Sequence, residues 1–266
     1  MISVLSKYDR QNILLLAYPT LSLFFFNVKL FLPAALLALS LVACQKDKDA
    51  TPELAPTETA DWYILRAPDD RAIEAVAGDI DGTLVITTRF EIYYTKDRGK
   101  TWQQGDYKHN IGLFGFSQQQ DTLLALNTGL GSPSNEQVSY AAGASHYSLD
   151  QGQTWLPYRN WRRADFEPRV PLNKVTSPAG TVYSIEYLLT PTSPTSGVSR
   201  VDYIGIHTST GQHLTLPQDH QITSIAFDVK SRLYVTASAP LCGGREKFMY
   251  CDKSNGTLYV SKKPQL

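Results

Sequence analysis

"YSLDQGQTW" at residues 147–155 and "YTKDRGKTW" at residues 94–102 are nearly the same nine residues written twice. Asp, Gly, Thr and Trp stay fixed while their neighbours vary. A short carboxylate can bond nearby backbone amides, glycine can take backbone angles that a Cβ strains, and Trp is a large apolar anchor. Together they suit a tight chain reversal packed against a core. Asp97 and Asp150 therefore read as turn acids, poor candidates for catalysis.

The chain around them repeats at a period of about 45–60 residues, the mark of a stacked or radial array. Unit one spans 72–104, unit two 112–157, unit three 174–217 and unit four 222–266. Each opens with a short apolar run and a turn ("DIDGT", "QQDT", "PAGT" or "DVKSR"), followed by a β-rich run. Short strands at regular spacing predict an all-β assembly.

The pattern Ser148, Asp150, Gly152, Thr154, Trp155 resembles the Asp-box, or BNR repeat, of sialidase-like β-propellers at every fixed position. The copy Thr95, Asp97, Gly99, Thr101, Trp102 departs only by Thr for Ser, "HTSTGQHL" (207–214) keeps the Gly alone, and unit four stops after "YVSKK". The resemblance implies a propeller of about four blades, each a four-stranded antiparallel sheet, over residues 61–266. "DWYILRAP" (61–68) resembles the strand that follows each box, and unit four lacks such a strand. Strand 61–67 is thus expected to complete the last blade and close the ring, leaving no open sheet edge. A second register takes "DKSNGTLY" (252–259) as a ruined box and gives unit four its own last strand.

The first 43 residues read as an export signal. "LFLPAALLALSLVAC" (30–44) is an apolar run after Lys29 that ends in small residues. "LVAC" (41–44) resembles the bacterial lipobox, which implies lipidation of Cys44. The alternative is a transmembrane anchor, but Pro19, Asn27, Lys29 and Pro33 interrupt the apolar length. Val28 is an alternative translation start. Residues 44–60 are the lipidated cysteine and a polar, Pro/Thr-rich stretch that reads as a flexible tether. Gln45 after the cysteine resembles the Gram-negative signal for the outer membrane. Residues 1–43 carry Lys7, Arg10 and Lys29 against Asp9, so their removal takes 25 basic and 25 acidic residues to 22 and 24. A net charge near −2 gives no footing for nucleic acid. Cys242 and Cys251 remain, and in an oxidising compartment a disulfide is favoured over free thiols.

Strand alternation puts the boxes and the first–second turns on one face. The long segments 129–143, 158–173, 190–199 and 240–246 fall on the other, where binding usually resides. The richest is "YRNWRRADFEPR" (158–169), whose Tyr158, Arg159, Trp161, Arg162, Arg163 and Arg169 form the candidate ligand-binding set. Arginine binds anions bidentately and aromatic faces stack. The competing reading makes Trp161 a plug between blades and the arginines solvated. His109, His146, His207, His213 and His220 show no metal spacing, and "DIDG" (79–82) reads as a hairpin turn before a calcium loop. No metal or cofactor is expected.

Sialidase catalysis needs an arginine triad, a Tyr–Glu pair and an acid/base Asp. The nearest echo of the family's Phe/Tyr-Arg-Ile-Pro is "PRVP" (168–171), which lacks the aromatic and follows both boxes. The expectation is a non-catalytic, lipid-anchored envelope module that binds an anionic glycan or an envelope protein. A degenerate glycoside hydrolase and an assembly factor, like the photosystem-associated Asp-box propellers, are the alternatives.

Overall fold

The structure, a computed structural model, describes residues 57–158, 168–193, 195, 197–243, 248–251 and 254–265. Eighteen strands and no helix occupy these residues. β1 (Thr57–Glu58) and β2 (Trp62–Arg66) come first; Thr57 and Glu58 lie within the stretch read as tether. Blade one is β3 (Ala75–Gly78), β4 (Leu84–Thr87), β5 (Ile92–Thr95) and β6 (Gln103–Gln104). Blade two is β7 (Gly115–Gln119), β8 (Thr122–Leu130), β9 (Tyr140–Ser148) and β10 (Leu156–Pro157), with β11 (Val170–Pro171) also on the β9 edge. Blade three is β12 (Lys174–Thr176), β13 (Val182–Pro191), β14 (Ser199–Thr208) and β15 (His213–Leu214). Blade four is β16 (Ile222–Phe227), β17 (Leu233–Ala237) and β18 (Thr257–Ser261), completed by β2 and β1.

This is a four-bladed, all-β propeller. All strand pairs are antiparallel, and β2 runs along β18 from Ser261↔Trp62 to Thr257↔Arg66. The N-terminal strand therefore closes the ring. β18 pairs with β17 on its other side, so "TLY" belongs to a third strand and not to a ruined box. The first strands line the axis, with β16 against β3 and β12, and β3 against β7.

The two repeated stretches fold as the same turn. Thr95 Oγ1 and Ser148 Oγ each donate to the aspartate two residues on, at 2.7 and 2.8 Å. The same oxygens accept from Gly99 N at 3.0 Å and Gly152 N at 2.8 Å. Asp97 and Asp150 each accept the backbone N–H and the hydroxyl of the threonine four residues on, Thr101 and Thr154. Burial opposes the charge on both carboxylates, but these bonds outweigh it and hold them below the usual range.

Each turn also joins two blades. A Cβ on Gly99 would stand 2.6 Å from Leu65 of blade four, and one on Gly152 would stand 2.9 Å from Val85 of blade one; both glycines have positive φ. Trp102 packs into the apolar cluster shared by blades four and one, and Trp155 into that of blades one and two. Trp62, on the closing strand, takes the matching place between blades three and four. Three of the four joints thus carry a tryptophan from the later blade.

The fourth joint departs. His207 pairs with His213, where Tyr94 pairs with Gln103 and Tyr147 with Leu156. Thr208 therefore stands in the place of Thr95 and Ser148, the turn is three residues shorter, and exposed Gln212 replaces the tryptophan. Between blades two and three the buried apolar cluster is only Leu124, Leu126 and Ala141. Two asparagines fasten this joint. Asn135 of the blade-two loop donates to Tyr187 O and accepts from Tyr187 N, both at 2.8 Å, where a bulge interrupts the β13–β14 ladder. Asn173, 2% exposed, accepts from Ser139 N at 2.8 Å and donates to Gln137 O at 3.0 Å.

Blades one and four are further latched through the "DIDG" hairpin. Arg232, 6% exposed, reaches Asp79, Asp81 (2.7 Å) and Asp228 (2.7 Å), while Lys230 lies 2.9 Å from Asp81. Hydrogen bonds from Lys230 hold the Asp81 carboxyl down at about 2. The cation served by this turn is an arginine.

Two substitutions test the packing. Asp150→Ala strands the amides of Gln153 and Thr154 and should lower unfolding free energy by about 1–3 kcal/mol in urea denaturation. Trp62→Ala should cost more, about 3–5 kcal/mol, because it empties a buried joint.

Candidate functional site

Propeller geometry sorts the connections by face. The turns at 79–83, 96–102, 120–121, 149–155, 177–181, 209–212 and 228–232 share one face and are short. The opposite face carries the longer loops, including 131–139 and 238–256.

Tyr158 and Arg169 are the described members of the expected ligand-binding set; Arg159, Trp161, Arg162 and Arg163 lie outside the described residues. The chain leaves the outer edge of blade two after β10 and returns to the same edge as β11. Tyr158 donates its N–H to Ser145 O at 2.8 Å and packs on the Leu124–Leu126–Ala141 cluster, whereas Arg169 is exposed.

What the described residues assemble on the loop face is a shallow groove of about 20 Å³ between blades three and four. Val201, Asp202 and Tyr203 come from β14, Asp219 and Gln221 from the link to blade four, and Leu241 and Phe248 from the loop before β18. The Cys242–Cys251 disulfide closes that loop. Cys242 N donates to Met249 O and Cys251 N to Pro240 O, so the two described arms of the loop pair antiparallel. It presents Phe248 (53% exposed), Met249 (59%) and Tyr250 (44%) in a row. Phe248 and Tyr250 meet edge-to-face at 5.2 Å, and Tyr250 Oη donates to Gln221 Oε1 at 2.9 Å. Tyr203 meets Tyr187 edge-to-face at 5.3 Å.

Burial pushes the Tyr203 phenol up, and the carboxylate of Glu74 and the phenol of Tyr250 push it further. Glu74 is itself raised by burial, with Arg89 at 3.4 Å pulling the other way. Aromatic faces beside amide and carboxylate groups can stack on a sugar ring or receive a side chain. Sequence reasoning missed this groove because its lining comes from three separate segments with no shared motif.

His220 sits beneath it with both nitrogens engaged, Nδ1 2.8 Å from Ser238 O and Nε2 2.7 Å from Tyr259 Oη. It has no free nitrogen with which to take a substrate proton. A second imidazole, His146, is 3% exposed at the joint of blades one and two, with the His109 ring 4.2 Å away. Among the described residues no three His, Cys, Asp or Glu side chains gather closely enough to hold a metal ion.

No family model and no curated protein matches this chain. It is similar to the solved structure of YCF48 from Cyanidioschyzon merolae at 13% identity, with a TM-score of 0.26 over 77% of this chain and 86% of that one. The propeller assignment rests on the strand pairing itself.

The buried histidines set an acid limit. Burial holds His220 and His146 at about 4, helped at His146 by the charge of His109. Both stay neutral in the folded chain and take up protons on unfolding below the ordinary value of about 6.5. Depressed folded pKa values mean that stability is intact above that point and falls as pH drops towards 4. Asp97 and Asp150 lose their share only below the ordinary carboxylate range. Urea midpoints should therefore decline between pH 6.5 and 4, and less steeply in His220→Gln.

Proposed function

We propose that this chain is a non-catalytic binding module, a rigid propeller held at the cell envelope by a lipid on Cys44, that engages a glycan or protein partner through its loop face. The observation that carries the reading is the asymmetry of the two faces. One is spent on short turns that pack blade on blade. The other presents the groove at Tyr203 and a disulfide-closed row of exposed Phe248, Met249 and Tyr250. An aromatic row held by a covalent loop loses little side-chain freedom on binding, which favours affinity.

Two further features support it. The repeated turns match the Asp-box pattern, whose acids here are consumed by backbone amides. The signal-like stretch ending "LVAC" supports an outer-membrane lipoprotein. The arginine-rich segment at 158–169 is the second contact region of the proposal, suited to an anionic partner.

Palmitate labelling of the full chain should be lost in Cys44→Ser. On a glycan array and in envelope-protein pull-down, Tyr203→Ala with Phe248→Ala should weaken binding at least tenfold while moving the melting temperature little. Arg162→Ala with Arg163→Ala should cost about 2–4 kcal/mol of binding to an anionic partner. Turnover of a fluorogenic sialoside would overturn the non-catalytic reading in favour of a glycoside hydrolase.

A further inference from the structure

His146, like Trp102 and His207, keeps one buried nitrogen without a hydrogen-bond partner, and it alone of the three has a second imidazole packed against its ring. Ser145 Oγ lies 3.3 Å from Ala125 O, to which it donates, and 3.1 Å from His146 Nδ1. A hydroxyl has one proton, so towards Nδ1 the same oxygen accepts, and Nδ1 carries the hydrogen. Nε2 then holds a bare lone pair. It is buried and has no hydrogen-bond partner.

The neighbours do not supply one. The Tyr107 ring stands edge-to-face with His146 at 5.0 Å, but its hydroxyl is committed to Ile111 O at 2.9 Å. Lys108, on the same link between blades, is paired with Asp106 at 2.8 Å. The nearest imidazole is His109, tilted 40° to His146 at 4.2 Å between ring centres. His109 is exposed, so its own ring meets solvent while Nε2 of His146 is buried. A backbone or hydroxyl partner that fixes one nitrogen and leaves the lone pair of the other free is how metal-ligating histidines are held.

We propose that His146 and His109 form a binding site for a borderline divalent transition metal, Zn(II) or Cu(II), with water completing its coordination. Imidazole nitrogen suits these ions and not calcium or magnesium, which prefer oxygen. Two protein ligands leave open positions, so the ion exchanges readily, unlike one in a closed four-ligand site. His109 lies on the chain linking blade one to blade two and His146 on β9, so the bound ion ties that link to blade two. The proposal is independent of the ligand groove.

Trp155 belongs to the same apolar cluster as Tyr107 and serves as a reporter. The full chain in detergent, stripped with chelator, is titrated with Zn(II) by calorimetry and with Cu(II) by tryptophan quenching. One equivalent should bind and raise the melting temperature. His109→Ala should weaken binding at least tenfold while the metal-free chain stays folded and melts cooperatively. His213→Ala, on blade three, should bind as the unaltered chain does. Ser145→Ala, which frees the tautomer, should weaken binding by a smaller factor. Absence of saturable binding, or equal binding by His109→Ala, overturns the site.

Discussion

Every sheet in a closed ring must bury both faces against its neighbours, and this chain anchors three of its four joints with a tryptophan. A tryptophan entering the outer strand of a blade reaches back onto the blade before it. Trp102, Trp155 and Trp62 do this at three joints, and two of them come with a glycine turn so close to the neighbouring blade that a Cβ would collide. The aspartate of the turn holds the reversal while the tryptophan and glycine dock it. Turn and joint are one device. That is why the sequence keeps Asp, Gly, Thr and Trp together and lets the positions between them drift.

The joint between blades two and three shows what happens without it. Its turn is shortened and Gln212 stands in place of the indole, so the apolar area available there is small. Amide side chains take over, each both donating to and accepting from the backbone of the segment it meets. Asn135 fills a break in the blade-three ladder, and Asn173 ties the blade-two loop at Gln137 and Ser139. Such bonds are directional and tolerate little sliding, whereas an indole in an apolar cleft tolerates some. Two kinds of joint therefore coexist in one ring.

Much of this architecture was legible in the residues. The repeated turn announced the blade, the spacing gave their number, and "DWYILRAP" declared itself a stray outer strand before its partner was known. In "HTSTGQHL" the equivalence with a box is carried by Thr208 through the strand register, one position off the alignment that Gly211 suggests. The remaining features have no local signature. Arg232 meets acids some 150 positions away, Tyr203 and Phe248 line one groove only because blades three and four adjoin, and His146 meets His109 through a link. Periodicity reports on faces of single strands, and these contacts form between blades. The candidate ligand-binding residues were chosen from one contiguous segment, and the groove was invisible to that kind of reading.

Closure by β2 has a consequence for how the chain reaches this state. Its partner β18 is made long after it, so through most of synthesis the strand at Trp62–Arg66 has an open edge and lacks the rest of its blade. Blade four cannot be completed by any local event; it waits for residues 257–261, and pairings of such sequence distance form slowly. During that wait the exposed edge is a site for wrong pairing with other chains. Short β1, folded back on β2 at Thr57↔Ile64 and Glu58↔Tyr63, covers the opposite edge of β2 and leaves this one bare. The first strands of the domain would thus wait as a small hairpin shielded on one side alone, until the last strand arrives to pair with the other.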